Sequence, residues 1–282
     1  MINRVAASFG RAQGPRSQGG TLNRPKSGWV LRRCAAAACF FAASFAWAEP
    51  VVLKTADGVV LAADYAPPAK GKPVFLLLHG LGAGKEEWHL FRSTLTARGY
   101  GSLALDLRGH GASKGPSYTT FQGAADWFKT DADIDAAAAF LKKRKIGASQ
   151  IILAGASIGA NLAARAAARR KESPFLILFS PGLNYQGVLL EPFVRSLGRP
   201  VIIAASRADQ YSVNTVSAMT GWGAHPKSVL VMALKGHGAE MFKLAENKGF
   251  TRKLMNQIEG FVKTWAASGV PLKKGASPLK AQ

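Results

Sequence analysis

Six apolar runs of strand length recur along the chain, separated by stretches that can hold helices: Val74–Leu78, Ser102–Leu105, Ile151–Ala154, Phe175–Phe179, Val201–Ala205 and Val229–Leu234. They are rich in Val, Ile and Leu and alternate little between apolar and polar. Such runs suit strands buried on both faces, as in a parallel sheet. A hairpin precedes them, with Val51–Thr55 and Val59–Tyr65 flanking Asp57-Gly58. Glu86–Arg98, Thr130–Lys143, Ser157–Arg170 and Glu246–Ala266 read as helices. The second of these opens on Asp131, Asp133 and Asp135 and closes on Lys142, Lys143 and Arg144, which complements the helix dipole. The expected fold is α/β: a mostly parallel central sheet of about eight strands with helices on both faces. In such sheets chemistry sits in loops at the carboxyl ends of the strands.

The ends of the chain read differently. Residues before Glu49 hold seven basic side chains and no acidic one. A basic stretch, an apolar run from Cys34 to Phe45 and then Ala46-Trp47-Ala48 have the layout of a secretory signal at 1–48. The apolar run is short for a membrane span, so stable membrane insertion is not expected. The expected location is the periplasm or the medium; a retained basic N-terminus on a cytoplasmic protein is the competing reading. Both cysteines, Cys34 and Cys39, fall in this leader, so 49–268 is expected to form the domain without disulfides or thiolate metal sites. Residues 269–282, with Pro271, Pro278 and several lysines, read as a flexible basic tail. The formal charge of +21 is spread along the chain without interleaved aromatics, so no nucleic-acid partner is expected. Nothing fixes the oligomeric state.

The pattern G-x-S-x-G occurs twice, at Gly111–Gly115 and at Gly155–Gly159. Ser113 is followed by Lys114-Gly115-Pro116, a loop. Ser157 comes directly after the run Ile151–Ala154 and opens a helical stretch. Strand, sharp turn and helix form a nucleophile elbow, where only small residues fit beside the serine and the helix N-terminus points at its oxygen. A turn with a serine N-cap is the plainer alternative. A seryl nucleophile needs a base, and the base needs an orienting acid. Asp209 lies just past the run Val201–Ala205, and His237 just past Val229–Leu234. All three sit at strand carboxyl ends, in the order Ser, Asp, His.

These residues resemble the α/β-hydrolase superfamily over about 51–266. Two further stretches strengthen the likeness: His79-Gly80-Leu81-Gly82 is similar to its H-G-x-G loop, and Asp106–Ser113 to its D-x-R-G-x-G-x-S loop. The resemblance implies a Ser157–His237–Asp209 triad, an oxyanion hole from the backbone N–H groups of Leu81 and Ile158, and structural roles for His79, Asp106, Arg108, His110 and Ser113. It implies acyl transfer without metal or organic cofactor. A seryl nucleophile sets the chain apart from relatives that use Asp, and from dienelactone hydrolases proper, which use Cys; the likeness to those is to the lidless core. Only Leu183–Arg199, 17 residues, is free where such folds carry a cap, enough for one short helix near Val188–Leu197. No large cap is expected. The implied activity is a secreted serine esterase or thioesterase acting on small-molecule or envelope-associated esters. The alternatives are a non-catalytic binding protein, or a serine peptidase, of the same fold.

Overall fold

A computed structural model describes residues 48–223 and 225–268. The proposed leader up to residue 47 and the tail 269–282 lie outside the described residues. The strands are β1 (Glu49–Lys54), β2 (Val60–Ala66), β3 (Val74–Leu78), β4 (Gly101–Leu105), β5 (Ile151–Ala156), β6 (Leu176–Phe179), β7 (Asn184–Tyr185), β8 (Val188–Leu189), β9 (Val201–Ser206) and β10 (Val229–Ala233). The helices are α1 (His89–Thr96), α2 (Ala124–Phe128), α3 (Thr130–Lys143), α4 (Ile158–Arg169), α5 (Glu191–Ser196), α6 (Gln210–Gly221) and α7 (Phe250–Ala267).

Eight strands form one sheet in the order β1-β2-β4-β3-β5-β6-β9-β10. The pairs β1/β2 and β2/β4 are antiparallel and all the others are parallel. The unbroken apolar runs have a simple cause. Successive residues of a strand point to opposite faces, and both faces are covered. On one side Leu76, Leu78, Leu103 and Leu153 pack with Ile134 and Leu141 of α3 and Leu162 of α4. On the other, Phe75, Leu77, Ile152 and Ile177 pack with Phe91 of α1 and with Leu254 and Ile258 of α7. The edge strand β10 is thinner, with Val231 and Ala233 buried and Leu230 exposed.

The structure departs from the sequence reading in four places. Glu86–Arg98 divides into a 3-10 turn, Lys85–Trp88, followed by α1. The last helix starts at Phe250 rather than Glu246, because Gly249 takes a left-handed φ of 79° that ends the preceding loop. Helices α2 and α6 were not anticipated. The short helix expected near Val188–Leu197 is α5, but it starts only at Glu191, and a two-stranded hairpin, β7–β8, that was not expected precedes it. Gln186 and Gly187 both have positive φ, 54° and 83°, the backbone that a two-residue hairpin turn requires. Hairpin and α5 are all that stands between β6 and β9, so no cap domain is inserted there.

Candidate active site

Ser157 joins β5 to α4 with φ 55° and ψ −125°, a strained backbone for a residue with a side chain. The turn survives because its neighbours are bare. A Cβ on Gly155 would overlap the carbonyl of Gly159, and one on Gly159 would overlap the carbonyls of Leu78 and His79. The Ser157 amide donates to the Phe179 carbonyl at 2.9 Å, which ties the turn to β6. Its hydroxyl makes no capping bond to α4, so the N-cap alternative does not describe it.

Asp209 is the N-cap of α6, accepting from the Ser212 amide at 3.2 Å and the Ser212 hydroxyl at 2.7 Å. The same carboxylate takes His237 Nδ1 at 2.7 Å. Burial pushes the Asp209 pKa up, but the Ser212 and His237 donors outweigh it and hold the acid below its usual range. A carboxylate on Nδ1 leaves Nε2 of His237 free, and the imidazole is partly exposed. Beside it Gly238, at φ 57°, packs against Ala156, where a Cβ would stand 3.0 Å from the alanine methyl and 4.0 Å from the Ser157 nitrogen. The loops therefore bring Ser157 and His237 together. No hydrogen bond links the Ser157 hydroxyl to His237 among the described residues; such bonds often tighten only when substrate is bound.

The loop after β3 closes the other side of Ser157. An added Cβ on Gly80 would lie 3.4 Å from Ser157 Cβ. The fully buried His79 shapes this loop. Its Nε2 accepts from the Leu107 amide at 3.0 Å, so Nδ1 carries the proton and donates to the Gly80 carbonyl at 2.7 Å. Burial lowers its pKa to about 4, so it stays neutral. The Gly80 amide is held by Glu87 Oε1 at 3.0 Å. The amides of Leu81 and Ile158 have no hydrogen-bond partner among the described residues.

Ser113 is fully engaged elsewhere. Its hydroxyl donates to the Asp106 carbonyl at 2.6 Å and accepts from the Ala62 amide at 2.8 Å, clipping the loop after β4 to β2. Asp106 is buried and takes the amides of Lys85 and Ala112. Arg108 binds Asp133 of α3 and Asp57 of the β1–β2 turn. The His110 ring stacks on Tyr118 with centroids 4.2 Å apart. Four residues around Ser157 escaped the sequence reading: Glu87, Asn161, Tyr185 and Ser212. The one cue lay in Asp209, a favoured N-cap residue type whose carboxylate bonds toward the third residue of a helix, here Ser212.

The profile of the alpha/beta hydrolase family matches residues 75–279. No curated protein matches the chain. Among solved structures, an esterase of Pyrococcus furiosus is similar at TM-score 0.62 and 20% identity, over 78% of this chain and 91% of that one. A membrane phospholipase A described as a bacterial virulence factor is similar at TM-score 0.62 and 17% identity, over 79% and 88%. Est1E of Butyrivibrio proteoclasticus, solved with ferulic acid, is similar at TM-score 0.59 and 21% identity, over 74% and 100%.

Proposed function

The chain belongs to the alpha/beta hydrolase family, and from that premise we propose that it is a serine hydrolase of carboxylic esters or thioesters, from the lidless part of the family. One observation carries the reading: a carboxylate, Asp209, is bonded to the Nδ1 side of His237 beside a serine held in a strained strand-to-helix turn.

In this reading His237 Nε2 takes the Ser157 proton as the hydroxyl oxygen attacks the substrate carbonyl. The oxyanion is held by the Leu81 and Ile158 amides, preorganised donors worth roughly 10²–10³ in rate each. His237 then gives the proton to the departing alcohol or thiol and an acyl-enzyme remains. Water enters, gives a proton to His237 and releases the acid, and Ser157 recovers its proton. Asp209 fixes the His237 tautomer and stabilises the imidazolium. The esterase and the phospholipase that share the fold are in keeping with this chemistry.

A fluorophosphonate probe tests it. The expected result is stoichiometric labelling that Ser157→Ala and His237→Ala abolish and Ser113→Ala leaves intact. In ester hydrolysis Ser157→Ala should lower kcat at least ~10³-fold, because triad members act as a unit. A folded protein that takes no label would favour the non-catalytic alternative.

A further inference from the structure

The amino-terminal ends of the strands, opposite Ser157, frame an open groove of about 1000 Å³. It lies between the C-terminal half of α7 and the turns that lead into β6 and β9. Strand β5 spans Ile151–Ala156, so the groove is a strand's length from the serine, roughly 20 Å, and takes no part in the mechanism above. Phe175, Phe261 and Trp265 form its apolar wall, and the two phenylalanine rings meet with centroids 5.3 Å apart.

Two features set the groove apart from an ordinary surface cleft. The first is Arg199, just before β9 and only 8% exposed. Its Nε and Nη1 donate to the backbone carbonyls of Leu197, Arg170 and Ser173. These acceptors are neutral, and no carboxylate is bonded to the guanidinium among the described residues. Nη2 has no partner there either, yet protein does not enclose it, so it opens on the groove that Arg199 lines. Burial draws the Arg199 pKa down and Glu172 pulls it back; a guanidinium stays charged regardless. Lys171 and Lys227 add two exposed cations at the rim, against the single carboxylate of Glu172 among the lining residues. A buried charge without a counter-ion is costly, and an anion in the groove would relieve that cost.

The second feature is Gly260, inside α7 and on the groove wall. Glycine weakens a helix interior relative to alanine. No close approach requires it here, since an added Cβ would meet no packed neighbour within 4 Å. The bare position leaves the groove open beside Phe261.

We propose that this groove binds an amphiphilic carboxylate, with its apolar body along Phe261 and Trp265 and its anionic head on Arg199. A guanidinium is the side chain best suited to a carboxylate, and cavities of this size hold small molecules. Alkyl and aromatic acids share this chemistry. Such a site would stand whether or not Ser157 is a nucleophile.

Isothermal titration of the full chain with dodecanoate, naphthalene-2-carboxylate and dodecyltrimethylammonium tests it. At least one acid should bind one to one and at least tenfold more tightly than the cation; the tighter acid shows whether an alkyl or an aromatic body fits the wall. Gly260→Leu fills the groove from a helix that tolerates leucine. It should weaken binding at least tenfold and keep the circular dichroism spectrum. Arg199→Gln should weaken binding as much. Because Arg199 also holds three carbonyls, the exposed pair Lys171→Gln and Lys227→Gln serves if that variant unfolds; it should weaken binding about threefold and flatten the salt dependence. No saturable binding of either acid, equal affinity for the cation, indifference to these charges, or binding that Gly260→Leu leaves unchanged overturns the proposal. Binding that appears only after removal of residues 269–282 would give the groove to the chain's own C-terminus and overturn it as well.

Discussion

Glu87 sits beneath the His79–Leu81 loop with its carboxyl largely out of water. Burial raises its pKa from 4.5 to about 7, against the opposing pull of the Gly80 amide and of Lys243. A raised carboxyl pKa means the folded protein holds a proton that the unfolded chain has already lost. The group's contribution to stability is therefore present below about pH 4.5 and is lost as pH rises through about 7. Glu87→Gln keeps an oxygen for the Gly80 amide but cannot ionise. Relative to wild type it should gain about 2–3 kcal/mol between pH 4 and pH 8, read from urea unfolding of both proteins at each pH. The same scale shows what a linear reading can and cannot reach. Ser157, Asp209 and His237 were legible because each follows an apolar strand, so the sheet collects them on one rim. Glu87 and Tyr185 were not, since each reaches the site through a turn whose geometry leaves no periodic trace. Ser113 could be told from Ser157 only through context, since the two share one five-residue pattern.

At the level of elements, the β7–β8 hairpin is held from below by side chains of α4 and α6. Asn161, in the first turn of α4, donates from Nδ2 to the carbonyls of Gly182 and Val188, both at 2.8 Å. The hydroxyl of Tyr211 on α6 grips the other strand through the Asn184 backbone. Asn161→Ala would strip a donor from two buried carbonyls and should cost about 2–4 kcal/mol of unfolding free energy. The hairpin should loosen with it, so ester turnover should fall even though Asn161 does not reach the reacting atoms. Denaturant titration and steady-state rates on the same preparation check both. This element was hidden because Gln is a poor herald of left-handed backbone, whereas Asp57-Gly58 announced the β1–β2 hairpin correctly. The long strands and α3 were legible because apolar pattern and charge order agree with the tertiary environment.

For the whole domain, the short segment between β6 and β9 leaves the serine under a hairpin and one helix of six residues. Little apolar surface is available there to shelter a long chain from water. Butyryl esters should accordingly be hydrolysed faster than palmitoyl esters, as a p-nitrophenyl series from acetate to palmitate would measure; the reverse order would contradict an open site. The sheet order was legible only in part. Apolar runs foretell parallel buried strands, but the place of β4 between β2 and β3 is a matter of crossover connections and is not written in any one run. The hairpin tip has one more consequence, for engineering. Gln186 and Gly187 are exposed, while the strands on either side are pinned by Tyr211 and Asn161. A folded insert spliced between these two residues would ride on fixed anchors directly above the serine. Substrate choice could then be reprogrammed by grafting, with the scaffold beneath left unaltered.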